Sequence, residues 1–331
     1  MTKPISTPRP LGGGAPAVYP IALGCMGMSG MYGAADEKES IATIHEALER
    51  GVTLFDTGDF YGMGHNEMLV GRALKDRRDR ALISVKFGAL RGPDNSWGGF
   101  DARPAAVKNF VAYSLKRLGV DHIDIYRPAR LDPNVPIEDT VGAIAELVKG
   151  GYVRYLGLSE VGVDTIRRAN QVHPICDLQI EYALVSRGPE AKIFPALDEL
   201  GIAVTAYGVL SRGLLSGSKP SGKGDYRAHM PRFTGDNAAQ NDKLVRALQD
   251  LAKAHGATPV QLAIAWALHK HPRVIPTLGA RTRAQLADTL GALSVSLSAA
   301  EIAALEAAVP ADAVAGTRYA AEQMRGLDSE R

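Results

Sequence analysis

Apolar positions along the chain keep two rhythms, which alternate from end to end. Short apolar runs end in glycine or a polar residue, and longer stretches repeat their apolar side chains every three to four positions. The first rhythm predicts strands, and the second predicts helices with one face turned to a core. Ile21-Ala22-Leu23-Gly24 reads as a strand. Glu37 to Arg50 reads as a helix with Ile41, Ile44, Ala47 and Leu48 on one face, closed by Gly51. A strand at Val52 to Phe55, a helix at Asn66 to Lys75, a strand at Ala81 to Val85 and a helix at Ala105 to Leu118 follow. His122 to Tyr126, Val153 to Leu158, Asp177 to Tyr182 and Ile202 to Ala206 supply further strands. Helices at Ile137 to Lys149, Val163 to Gln171 and around Ile193 to Leu200 separate them. Seven strand–helix steps are under way by Tyr207, and Val274 to Pro276 with a helix at Arg283 to Leu290 offers an eighth. Strands alternating with helices imply right-handed parallel units. Eight of them without a linker predict an α/β protein: a closed (β/α)8 TIM barrel forming a single domain over residues 1–331. A doubly wound open sheet is the alternative.

The chain has 331 residues, more than the roughly 250 such a barrel needs. The surplus falls in an N-terminal arm capping the barrel (1–20), a long cofactor or substrate loop (208–242) and a C-terminal tail (310–331). That loop is rich in Gly, Ser, Lys and Pro and is expected to act as a lid. With 46% hydrophobic and 22% charged residues, the chain reads as an ordinary soluble globular protein. A net charge of +2 argues against a nucleic-acid partner. Two cysteines, Cys25 and Cys176, make no disulfide scaffold, and neither a secretory signal nor a membrane-length apolar run is apparent. The expectation is a cytoplasmic protein without a membrane partner, its oligomeric state open.

Chemistry concentrates in Phe55-Asp56-Thr57-Gly58-Asp59-Phe60-Tyr61-Gly62 and Ser84-Val85-Lys86-Phe87-Gly88. Asp56 and Lys86 end apolar strands, and Tyr61 lies in the loop after the first. In a parallel barrel all three converge on the face where active sites are built. A phenol titrating near pH 10 is a poor acid at neutral pH unless a nearby ammonium favours its phenolate, with a carboxylate holding that ammonium in place. The plainer alternative is a strand-end ion pair beside a surface tyrosine.

With these motifs, the chain resembles the aldo-keto reductase family over nearly its whole length. Leu23-Gly24-Cys25-Met26-Gly27, Gly157-Leu158-Ser159-Glu160, Gln179-Ile180-Glu181-Tyr182, Ala206-Tyr207-Gly208 and Gly279-Ala280-Arg281 with Gln285-Leu286 carry the likeness, in family order. The resemblance implies a (β/α)8 barrel, NADPH at its mouth, and reduction of a small-molecule aldehyde or ketone by hydride transfer. It makes Tyr61 the acid, Lys86 its tuner and Asp56 the partner of Lys86. The family's catalytic histidine falls at Ala129 in Tyr126-Arg127-Pro128-Ala129-Arg130-Leu131-Asp132-Pro133, and alanine cannot donate to a carbonyl oxygen. An NADPH-binding regulatory subunit with little turnover is therefore an alternative function.

The resemblance also implies a cofactor set. Gly24, Met26 and Gly279 border it; Ser159 and Gln179 suit the nicotinamide carboxamide, and Tyr207 would stack on the ring. Gly208, Leu210, Ser211, Arg212, Gly213 and Leu215 offer backbone donors and a cation to the pyrophosphate. Arg281 suits a 2′-phosphate and hence NADPH. Gln285 and Asp288 are expected at the adenosine, with Thr289 standing where the family often has asparagine.

Ala129, Arg130 and Trp97 are candidate substrate-pocket residues; Trp97 could instead be ordinary packing, and Arg127 and Arg130 either anion binders or structural ion-pair partners. His65 could border the substrate pocket or simply start a surface helix, His269 and His271 read as solvated, and Cys25 is either an oxidisable thiol at a strand's mouth or, by default, a core filler. Gly217, Gly222 and Lys223 have P-loop spacing, but Gly224 replaces the hydroxyl that would bind magnesium. No G-x-G-x-x-G follows a strand, and no His/Asp/Glu cluster supports a metal-dependent barrel enzyme.

Overall fold

Parallel strands closed on themselves form the centre of the structure, a computed structural model that describes residues 6–220 and 225–331. The first half of the chain supplies β1 (Ala22–Gly24), α1 (Glu37–Glu49), β2 (Leu54–Gly58), α2 (His65–Leu74) and β3 (Leu82–Phe87). A hairpin, β4 (Ala89–Arg91) with β5 (Trp97–Phe100), then precedes α3 (Pro104–Leu118), β6 (Ile123–Pro128), α4 (Ile137–Lys149) and β7 (Val153–Ser159). The second half runs through α5 (Val163–Val172), β8 (Ile175–Glu181), α6 (Pro189–Leu200), β9 (Ala203–Tyr207), α7 (Gly235–Ala254), α8 (Pro259–Lys270) and β10 (Val274–Gly279). Helices α9 (Arg283–Gly291), α10 (Ala299–Ala308) and α11 (Ala321–Arg325) complete it. The barrel order is β1-β10-β9-β8-β7-β6-β3-β2, every neighbour parallel, so the open sheet is excluded.

The strands extend further than their apolar runs. β2 continues through Asp56 to Gly58, β3 through Lys86, β6 through Arg127 and β7 through Ser159. In a barrel, side chains alternate between the outer helical layer and the interior, and a polar inward side chain does not interrupt the backbone ladder. Apolar patterning therefore stops short where the chemistry begins.

Other elements left no periodic signal. Helix α8 carries buried side chains from Leu262 through Leu268, so it has no polar face for a 3.6-residue stripe to reveal. Its start is fixed locally, because Thr258 and Gln261 form a reciprocal capping box. Helix α6 begins at Pro189, earlier than the expected Ile193, with proline in its first turn. The 208–242 stretch is not one long loop. It contains short 3-10 turns at Ser211–Ser216, Tyr226–His229 and Pro231–Phe233, and α7 has begun by Gly235.

A polar layer crosses the barrel interior. Arg127 is completely buried and donates to Asp177 Oδ2 at 2.8 Å, Thr205 Oγ1 at 3.2 Å and Ser84 Oγ at 3.0 Å. The pair is structural and offers nothing to a substrate. Gly157 makes room for it, since a Cβ there would stand 2.6 Å from Asp177 Oδ1 and 3.0 Å from Arg127 Cζ. Below this layer Leu11, Val18, Ala22, Leu54, Ile125, Cys176, Ala203 and Ile275 form an apolar plug. The N-terminal segment lies across that end. Gly12 N–H donates to the Cys176 carbonyl at 2.7 Å, and Arg9 donates to the Leu268, His271 and Val274 carbonyls. Among the described residues no helix is long and apolar enough to cross a membrane.

Removing one member of a buried ion pair strands the other without solvent. Arg127→Met should cost about 3–5 kcal/mol in denaturant unfolding. Adding Asp177→Leu to that variant should recover most of the loss.

Candidate active site

Strand register brings the acid–base residues together. Asp56 pairs with Ser84, and Gly58 with Lys86, across β2 and β3; Ser159 pairs with Gln179 across β7 and β8. The Lys86 ammonium donates to Asp56 Oδ1, while Ser84 Oγ and Gln179 Nε2 donate to Asp56 Oδ2 at 3.0 and 2.9 Å. Ser84 joins this cluster to Arg127, so two cations and two carboxylates share one buried network. Gln179 thus has one amide N–H committed to Asp56, which leaves its carbonyl and its second N–H for a ligand.

Tyr61 opens a tight turn, Tyr61–Gly64, in which Gly62, Met63 and Gly64 all have positive φ. That turn folds the phenol inward, 7% exposed, with the Lys86 ammonium 5.1 Å from its ring centroid. Phe60 packs edge-on against Tyr61 at 4.8 Å, and the half-exposed Trp97 packs on Phe60 at 5.9 Å. Trp97 belongs to the hairpin, with Arg91 over its ring at 4.3 Å. An aromatic ledge therefore runs from the phenol to the rim.

The electrostatics differ from the expectation that Lys86 depresses the phenol. Burial pushes the Tyr61 hydroxyl well above its usual value, and Asp56 and Tyr32 add to the rise. The cation that pulls it back is Arg130. Burial likewise lowers the Lys86 ammonium, against the raising effect of Asp56. Asp56 fixes the Lys86 ammonium beside the ring, while burial outweighs the cations and favours the protonated phenol.

The remaining sequence candidates fall into two groups on the mouth. Gly24 and Gly279 are register partners at the ends of β1 and β10; Met26 opens the next turn, and Arg281 follows. Arg281 donates to the Tyr32 and Ala34 carbonyls at 3.0 and 3.3 Å and has no carboxylate partner among the described residues. Gln285 Oε1 accepts from the Arg281 N–H at 2.9 Å, Thr289 is buried, and Asp288 fastens α9 to Thr258 and Gln261 before α8 and in its first turn. In the second group, Gly208 has φ +67°, and Ser211, Gly213 and Leu215 spend their N–H groups on carbonyls of the same loop. Arg212 pairs with Glu181 at 3.0 Å. Tyr207 donates to Glu160 Oε1 at 2.7 Å, and its oxygen lies 2.8 Å from that of Tyr319.

That last contact exposes what sequence reading missed: the tail completes the mouth. Arg318 forks onto Glu160 at 2.8 and 2.6 Å. Burial opposes the charge of Glu160, yet Arg318 and Arg130 hold its carboxyl down at about 2. Tyr319 presents its ring to Arg212 at 4.4 Å. The signal available was an adjacent Arg-Tyr pair within an otherwise small and polar tail.

Several other readings resolve. His65 contacts Ser29 and Glu37 at the start of α2; His269 and His271 contact the Ala265 carbonyl and Asp198. Cys25 is buried, as a core filler would be. Among the described residues no group of three or more His, Cys, Asp or Glu could hold a metal. Gly222, Lys223 and Gly224 of the P-loop spacing lie outside the described residues.

The mouth thus offers a buried phenol beside a Lys–Asp pair, a hydroxyl and an amide at adjacent strand ends, and a guanidinium free of carboxylates. This donor set fits a nicotinamide dinucleotide with a 2′-phosphate, the site of a barrel oxidoreductase. The sequence matches the aldo/keto reductase family model over residues 20–310. It is 41% identical over 337 aligned positions to the probable aldo-keto reductase 1 of Glycine max, covering 99% of this chain and 95% of that protein. The structure superposes on a glycerol dehydrogenase of Gluconobacter oxydans with a TM-score of 0.83 at 29% identity, covering 93% of this chain and 97% of the other. It also superposes on an aldo/keto reductase of Klebsiella pneumoniae in complex with NADP and acetate, with a TM-score of 0.71 at 25% identity over 92% and 96%. The chain belongs to the aldo/keto reductase family, whose members are NADP-dependent oxidoreductases.

Asp59, two residues before Tyr61, provides a test of the site's electrostatics. Burial raises its carboxyl from 3.8 to about 7, with the charge of Glu67 adding to the rise. The fold therefore favours the protonated form. The stabilisation is complete below about pH 4 and is lost as pH rises through 7. Thermal unfolding of Asp59→Asn should show an advantage over the wild type that widens between about pH 5 and pH 8.

Proposed function

We propose that the protein reduces an aldehyde or ketone to the alcohol, with NADPH as hydride donor and Tyr61 as proton donor. The observation that supports this best is the placement of the buried Tyr61 beside the Lys86–Asp56 pair at the barrel mouth. When bound, the dinucleotide supplies the hydride to the carbonyl carbon. Ser159 and the free carbonyl of Gln179 would hold the carboxamide, Tyr207 would flank the ring, and Arg281 would take the 2′-phosphate. Tyr61 donates its proton as negative charge develops on the carbonyl oxygen. Lys86, fixed by Asp56, stabilises the phenolate that remains. The aromatic ledge of Phe60 and Trp97 would shelter the reacting carbon from water.

Ala129 gives weight to a second reading, an NADPH-binding regulatory subunit with little turnover, because no imidazole stands at that position. NADPH titration followed by loss of its absorbance with a panel of carbonyls separates the two. Binding with turnover supports the reductase, and binding without turnover supports the subunit.

Tyr61→Phe should lower kcat by about 10²- to 10⁴-fold, with NADPH affinity retained in fluorescence titration. Arg281→Gln should weaken NADPH binding by about tenfold or more and leave NADH nearly unaffected. Ala129→His should raise turnover of small uncharged aldehydes, measured by the same absorbance assay.

A further inference from the structure

At the mouth and in the polar layer beneath it, four arginines are matched by carboxylates. Arg127 pairs with Asp177, Arg212 and Arg232 with Glu181, and Arg318 with Glu160. Arg281, the candidate for the 2′-phosphate, and Arg130 have no such partner among the described residues. The Arg130 guanidinium donates to the Ala129 carbonyl at 2.6 Å, to Ser159 Oγ at 3.5 Å and to the Tyr319 hydroxyl at 3.3 Å. All three acceptors are neutral, and no carboxylate among the described residues lies within ion-pair reach of it. Glu160, the carboxylate that acts on Arg130 through space, is gripped by Arg318.

A partly buried guanidinium with only neutral acceptors gains when an anion replaces one of them. The position of Arg130 says which ligand could bring that anion. It reaches Ser159, at the nicotinamide end of the proposed cofactor site, and shares the ring of Tyr319 with Arg212, at 5.9 and 4.4 Å from the centroid. It follows Ala129, whose side chain is buried. Its two longest contacts are to Ser159 and to Tyr319 on the tail. The Tyr319 hydroxyl is shared with Tyr207, and an incoming carboxylate could displace it at little cost.

We propose that Arg130 receives a carboxylate of the carbonyl substrate, so that the protein acts on oxo acids in preference to uncharged aldehydes and ketones. This rests on the reductase reading above. The carboxylate takes the two guanidinium N–H directions now given to Ser159 and Tyr319, and the carbonyl oxygen faces Tyr61. Specificity then comes from a charge-assisted contact, with the aromatic ledge holding the carbon chain.

The test measures kcat/KM with NADPH for oxo acids from glyoxylate to 5-oxopentanoate, each against its own methyl ester. The wild type should prefer the best acid over its ester by about 10- to 100-fold. Arg130→Met should bring that ratio close to one, and Arg130→Lys should restore part of it. Equal rates on acid and ester in the wild type, or a preference that survives in Arg130→Met, overturn the proposal. Calorimetric titration with butanoate and butanamide, with and without NADP⁺, reads the anion site independently of turnover. Selective butanoate binding that is lost in Arg130→Met supports the site even where no carbonyl is reduced. Equal binding of the two ligands overturns it.

Discussion

The structure depends on a buried set of four charges along the barrel axis: Lys86 with Asp56, and Arg127 with Asp177. None of these side chains reaches water to any useful extent, so each must be satisfied inside the protein. Ser84 bridges the two pairs, Gln179 and Thr205 add further hydrogen bonds, and Gly157 gives up its side chain to make room for the network, in which Arg127 Nε is the only buried side-chain atom left without a partner among the described residues. The network fixes strand register as firmly as apolar packing does. Each charge stands on a different strand, and a slip of one residue in any of them would turn its charge into the helical layer. It also positions the chemistry, because the upper pair is the one beside Tyr61.

Above that layer the mouth is built from side chains that arrive late in the chain. Glu160 sits at the end of β7 with φ +53°, a strained position for a non-glycine residue. It is held there by Arg318, Tyr207 and Ser329. The tail therefore belongs to the site, with Tyr319 lying among Arg130, Arg212 and Tyr207. A mouth with guanidinium groups unmatched at Arg130 and Arg281 suits a reaction in which negative charge grows on an oxygen.

Much of this was legible beforehand. Glycines after the helices, one-sided apolar stripes and strictly alternating segments led to the closed barrel. Asp56, Tyr61 and Lys86 stood out because each follows an apolar run by one or a few residues. The strand ends were less legible, since apolar patterning ends at the first inward polar residue although the ladder continues. Helix α8 was missed because burial on all sides erases the period that marks a surface helix. Asp59 gave no warning either, since nothing local indicates that Glu67 will lie near it.

The order and type of the elements, and the residues able to do acid–base chemistry, were determined by local sequence. Backbone propensity and side-chain period act over a turn or two of chain and are written residue by residue. Partnership was decided only by the closed barrel. Arg127 found Asp177 fifty positions away, and Glu160 found Arg318 across 158, leaving Arg130 without a carboxylate. Which cations are neutralised and which are left for a ligand depends on distances that exist only once the strands have closed and the tail has folded back over the mouth.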